Sequence, residues 1–174
     1  MRMLFRHPVQ STKINAVYSH NKEDGMQVSE ILAVKGQALY TIGPNKTLAD
    51  AVAIMTEQDV GSLVIFDAGR MVGMLTFREV LKAAHASGAG WGTAPLSSVM
   101  VRDPMSAGPD MEVDELRRFM VEQHMRYLPV MDGGTLLGVI SFHDVARAVL
   151  EEQSFENKML KAYIRDWPAE SGGS

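Results

Sequence analysis

The chain has 174 residues, 46% of them apolar, a net charge of −4 and no cysteine. That is enough apolar material for one compact domain or two small interlocked ones. Disulfides, thiolate metal sites and a cysteine nucleophile are excluded, and the acidic balance argues against a nucleic-acid-binding face, which would be basic.

The first 22 residues carry Arg2, Arg6, Lys13 and Lys22 and no acid, interspersed with Leu4, Phe5, Val9, Ile14 and Val17. This basic, acid-free amphipathic start, within an arm over residues 1–25, reads as an organellar transit peptide, which points to the mitochondrion, with plastid or cytoplasm as alternatives, or as an accidentally basic arm. Val28, Ile31 and Leu32 then form a short helical lead. Leu39-Tyr40-Thr41-Ile42 is an extended piece that ends at Gly43-Pro44. Thr47 can cap a helix whose apolar positions are Leu48, Ala51, Val52 and Met55, with Asp50 as a reciprocal cap. Ser62–Phe66 reads as a buried strand, Asp67-Ala68-Gly69 as turn chemistry, Met71–Leu75 as the return strand and Arg78–Ala84 as a helix. The Gly-rich stretch Ser87–Pro95 is expected to be a mobile connector.

The same order then recurs. Leu96, Val99 and Met100 form a lead, and Met105-Ser106-Ala107 is an extended piece that ends at Gly108-Pro109. Val113, Leu116, Phe119 and Met120 make a helical stripe; Leu128–Met131, the turn Asp132-Gly133-Gly134 and Leu136–Ile140 make a hairpin. From Asp144 to Trp167 there is no Gly or Pro, so one long helix is expected. Phe155, Met159, Tyr163 and Trp167 recur every four residues, flanked by Leu160 and Ile164; this stripe either packs back on its own core or meets a second copy. Ser171-Gly172-Gly173-Ser174 is linker-like. The 13 methionines read as adaptable core packing or as a permissive binding surface.

Residues 55–80 and 120–145 align without a gap at an offset of 65 residues, which pairs Gly73 with Gly138, Asp67 with Asp132 and Phe77 with Phe142. Each copy reads β-α-β-β-α. Such copies stack to bury a shared face and leave a cleft between them where a ligand can sit. The expected division is copy one over 26–88, a linker over 89–95, copy two over 96–150, a C-terminal helix over 151–167 and a tail over 168–174.

Two exits of the form Gly-x-apolar-Thr/Ser-x-x-acid stand as Gly73-Met74-Leu75-Thr76-Phe77-Arg78-Glu79 and Gly138-Val139-Ile140-Ser141-Phe142-His143-Asp144. With His124-Met125-Arg126-Tyr127-Leu128-Pro129-Val130, they resemble the cystathionine-β-synthase-type (CBS) domain pair, or Bateman module, over about residues 28–150. The resemblance implies an α+β fold of tandem β-α-β-β-α repeats related by a pseudo-two-fold axis, followed by a long C-terminal helix. Val145–Gln153 with Leu160–Ile164 resembles the ending of small stand-alone CBS-pair proteins of bacteria and plant organelles. That likeness implies a homodimer that needs no cofactor, binds AMP, ADP, ATP or another adenosyl ligand between its repeats, and modulates a protein partner such as a thioredoxin-type redox protein.

Thr76 and Ser141 stand where a strand becomes a helix, so a hydroxyl there can join backbone N–H groups in holding phosphate. Glu79 and Asp144, one turn on, can accept from ribose hydroxyls; the same spacing is also a capping box, and the two roles can coexist. Arg78, His143, Arg126 and His124 are candidate phosphate partners. Thr41, Ile42, Val60, Ser106, Met125, Leu128 and Pro129 are expected as purine walls, with Gly61 and Tyr127 beside them. Against the family pattern, copy one has Glu79 where Asp is usual and Gly61-Ser62 where copy two has Arg126-Tyr127, and the linker lacks lysine. The site around Ser141 and Asp144 is therefore expected to be the better of the two. The runner-up reading is an interaction module that keeps the fold without a ligand. An enzyme is disfavoured: no nucleophile–base–acid set and no metal motif is readable, and His143 and Asp144, adjacent on a helix, point apart.

Overall fold

In the computed structural model, residues 25–36 and 38–165 are described. The basic arm, Trp167 and the terminal tail lie outside the described residues, apart from Gly25. The elements are α1 (Val28–Lys35), β1 (Thr41–Ile42), α2 (Leu48–Glu57), β2 (Ser62–Asp67), β3 (Arg70–Thr76) and α3 (Phe77–Ser87) in the first half. A 3₁₀ turn (Gly88–Thr93) leads to α4 (Leu96–Val99), α5 (Val113–Glu122), β4 (Tyr127–Asp132), β5 (Thr135–Ser141) and α6 (Phe142–Arg165). The mixed α+β repeat pair with a long final helix is thus what forms.

Each hairpin is antiparallel and closes through two residues at positive φ, Ala68 and Gly69 in one and Gly133 and Gly134 in the other, the backbone that a tight hairpin requires. Each carries a register shift at the same place, after Ile65 and after Val130. β1 adds to β2 in parallel. Its counterpart in copy two shrinks to a single bridge from Ala107 to Val130, so the extended pieces read from the sequence are shorter than expected. The connector is not a loose loop: it winds as a 3₁₀ turn, and Trp91 packs against the core of the first hairpin. Glycine content suggests a loop, but one half-buried indole outweighs it.

The two cores do not follow the division of the sequence. Met26, Val28 and Ile31 are buried with Val113, Leu116, Leu128, Ile140 and Val145 of the second copy. Leu96 is buried with Leu48, Leu63, Ile65 and Leu75 of the first, and Val99 and Met100 pack against that group. Each copy is therefore closed by the other's lead. The backbone shows the exchange: Val28 N–H donates to the Met111 carbonyl (2.9 Å) and Ser29 N–H to the Pro109 carbonyl (2.8 Å), as Leu96 N–H donates to Lys46 (2.9 Å) and Ser97 N–H to Pro44 (2.9 Å). These pairs place the leads in register at 68 residues rather than 65. The motif glycines sit under the exchanged leads. A Cβ on Gly73 would lie 2.7 Å from Met100 Sδ and 2.8 Å from the Val101 carbonyl oxygen, and one on Gly138 would lie 2.9 Å from Leu32 Cδ2.

α6 runs unbroken for 24 residues, yet only Val145 and Ala148 are buried. Leu150, Phe155, Met159, Leu160 and Ile164 are all more than half exposed, so the stripe does not pack back on its own core. Among the described residues no helix is long and apolar enough to cross a membrane.

Candidate functional site

Both hairpin exits are capping boxes. Thr76 caps α3, its own N–H donating to Glu79 Oε2 (3.2 Å) and its hydroxyl to the same oxygen (2.5 Å). At the second exit, Asp144 Oδ2 accepts from Ser141 N–H (2.8 Å) and Ser141 Oγ (2.7 Å), while Asp144 N–H donates to Ser141 Oγ (3.2 Å). Both acids face back toward their hydroxyls, so the capping role expected of this spacing is in place at both ends of the pair.

The segments opposite are placed by helix ends. α2 and α5 each finish in a Schellman turn: Val60 N–H donates to the Met55 carbonyl and Met125 N–H to the Met120 carbonyl, both at 2.9 Å. The left-handed residue in each is not glycine but Asp59 (φ 51°) and His124 (φ 52°). This turn swings each chain into its strand. Phe77 N–H then donates to the Gly61 carbonyl and Phe142 N–H to the Arg126 carbonyl, which ties the start of each hairpin to its exit.

A cleft of about 940 Å³ lies between the repeats, a volume suited to a small organic ligand. Of the residues singled out from the sequence, Val60, Gly61, Met125, Arg126, Tyr127, Ser141 and His143 line it, as does His124. Thr41, Ile42, Ser106, Leu128 and Pro129 do not. Ile42 and Leu128 are core side chains instead, Pro129 is buried in β4, and Thr41 and Ser106 are exposed elsewhere. Thr76, Arg78 and Glu79 lie outside the cleft as well.

Asp144 is set behind the cleft by a residue that the sequence did not flag. Lys35, at the end of α1, donates to Asp144 Oδ2 (2.5 Å) and to the Val139 carbonyl (2.9 Å). Lys35 lines the cleft and Asp144 does not; the Asp144 side chain is 15% exposed. Burial pushes the Asp144 carboxyl upward, but the hydrogen bonds from Lys35 and Ser141 and the lysine charge outweigh it and hold the group below its ordinary value. Copy one satisfies the Met74 carbonyl with the Val101 N–H, whereas copy two gives the matching Val139 carbonyl to the lysine ammonium. Lys35 could be found only by seeing that α1 crosses to copy two. Ser62, Tyr40 and Phe142 also line the cleft.

The cleft thus gathers the Ser141 hydroxyl at the N-terminus of α6, the Lys35 ammonium and two histidines, with Val60, Met125 and Tyr40 as apolar wall, while the Arg126 guanidinium lies across it over Phe77 of copy one. Chemically this suits an anion carried on an aromatic or apolar body. Among the described residues no group of three His, Asp or Glu is placed to hold a metal ion.

The sequence model of the CBS domain matches residues 28–86 and 96–151. An uncharacterised 17.7 kDa protein of Acidianus ambivalens is 33% identical over 132 residues, covering 75% of this chain and 77% of that protein. The mitochondrial CBS-domain protein CBSX3 of Arabidopsis thaliana is 26% identical over 147 residues, 79% of this chain and 71% of that one. Among solved structures, a CBS-domain protein from Agrobacterium tumefaciens superposes with a TM-score of 0.70 at 28% identity, covering 74% of this chain and 97% of that one. CBSX2, solved in complex with AMP, has a TM-score of 0.64 at 22% identity, over 74% and 99% of the two chains.

Proposed function

This chain belongs to the CBS-domain family, and from that footing we propose that it is a regulatory module, not an enzyme, whose inter-repeat cleft takes an adenine nucleotide of the AMP, ADP and ATP class. One observation carries the reading: Ser141 at a helix N-terminus, Lys35, Arg126 and His143 line one cleft, groups of a kind that can hold phosphate, beside an apolar wall that would suit a purine. The AMP complex of CBSX2 supports the choice of ligand class. Because both repeats contribute walls, a ligand stabilises the arrangement in which they face one another, and only such differential affinity can pass a signal on. Calorimetric titration of the full chain with AMP, ADP and ATP tests it. Saturable heat is the expected result; no heat and no thermal shift at millimolar ligand contradicts it.

A ligand-free interaction module is the second reading. The existing Lys35–Asp144 pair favours it, since that carboxylate already has a partner without a ligand.

The listener is proposed to be a partner protein that meets a homodimer. The exposed apolar stripe of α6 supports dimerisation, because two such faces pack against each other as helix pairs do. Light scattering of the full chain is expected to give a dimer, and a Leu160→Asp, Ile164→Asp double variant a monomer. A wild-type monomer at micromolar concentration contradicts this.

A further inference from the structure

The two halves of the cleft are built from equivalent positions but filled differently. In copy one, the Tyr127 ring meets Phe77 edge to face with centroids 6.1 Å apart, and Arg126 lies over the same phenyl at 5.3 Å. The phenol reaches Gly61 so closely that a Cβ there would fall 1.8 Å from its oxygen. The notch between Gly61 and Phe77 is therefore occupied by the protein itself, and the cleft does not extend to Thr76. In copy two the matching notch lies between Arg126 and Phe142. The residue in Tyr127's place is Ser62, which is small, and Ser62, Arg126, Phe142 and Ser141 all line open space.

Charge differs in the same sense. Lys35 brings an ammonium to the Ser141 half. In copy one α4 ends at Val99, and the backbone N–H of Val101 rather than a side-chain cation takes the Met74 carbonyl that matches Val139.

We propose that the cleft takes one anionic ligand per chain rather than two. Tyr127 seals the Thr76 half, and Lys35, delivered from the other copy's lead, is the cation that makes the Ser141 half the live one. This rests on the cleft being a ligand site. The seal is a matter of packing and stands or falls without any ligand.

Two measurements on the full chain test it. Titration with AMP is expected to give a stoichiometry near one per chain. Lys35→Met should weaken binding about tenfold or more, and Arg78→Ala, outside the cleft, should leave it within about twofold. A stoichiometry of two, or equal weakening by both variants, overturns the proposal while leaving nucleotide binding intact. If the wild type binds no AMP, the function reading fails, and thermal unfolding still judges the seal. Gly61→Ala must displace the phenol, so it should lower the melting temperature of the wild type by several degrees and that of a Tyr127→Ser background hardly at all. The same loss in both backgrounds overturns it.

Discussion

Gly73→Ala is expected to destabilise the fold by about 3 kcal/mol, far more than the matching change at Gly138. The reason is what each new methyl would meet. At Gly73 it would lie 2.8 Å from the Val101 carbonyl oxygen and 2.7 Å from Met100 Sδ. A backbone oxygen cannot step aside without giving up the paired hydrogen bonds between Met74 and Val101, both 2.9 Å. Losing that bridge also loosens α4, whose Leu96 is fully buried in the first core. Overpacking costs about 1–3 kcal/mol, and the disturbed hydrogen bonds add about 1 kcal/mol. At Gly138 the new methyl meets only Leu32 Cδ2 at 2.9 Å, a side-chain end that can rotate, so about 1 kcal/mol is expected. Urea unfolding of the two variants decides the matter. Equal losses would mean that the exchanged lead is not seated against β3 as described.

Asp144→Ala is expected to cost about 2 kcal/mol of stability. Truncation leaves the Lys35 ammonium, 30% exposed on its side chain, without its anion, and takes from Ser141 the acceptor for its N–H and hydroxyl. Unpairing a buried charge costs about 3–5 kcal/mol, and the partial exposure of Lys35 reduces that. The same pair sets a pH dependence. The Asp144 carboxyl is held below its ordinary value in the folded protein. Its contribution is therefore fully present above the unfolded pKa of about 4 and lost as pH falls through the lower folded value. As pH falls below about 4, stability should decline more steeply in the wild type than in Asp144→Asn. Parallel declines would contradict the role given to the pair.

Much of the fold is legible in the chain because its signals are local. The Thr47 and Asp50 cap forms as its spacing indicates, with Asp50 N–H donating to Thr47 Oγ1 at 3.2 Å, and Asp67-Ala68-Gly69 and Asp132-Gly133-Gly134 turn where turn chemistry stands. The exchange of leads is not legible. Val28, Ile31 and Leu32 announce one buried face but not which surface covers it, and sequence proximity suggests the wrong copy. Lys35 is hidden for the same reason, and comparing the copies at an offset of 65 sets it against an uninformative Met100. Which apolar residues face the cleft is less legible, because alternation along a strand gives the buried face without saying whether core or cleft lies behind it. Ile42 and Leu128 turn to the core, while Val60 and Met125, each just past the Schellman turn that ends a helix, line the cleft. The seal on copy one was readable in principle: Tyr127 against Ser62 and Arg126 against Gly61 set large beside small at equivalent positions.

A bound ligand's anion is expected at the Ser141 end of the groove. A crystal structure of the full chain with AMP tests this most directly. The phosphate should lie within hydrogen-bond reach of Ser141 Oγ and beside the Lys35 ammonium, with the base against Val60 and Met125. A nucleotide seated at Thr76 instead, or bound outside the groove altogether, would contradict it.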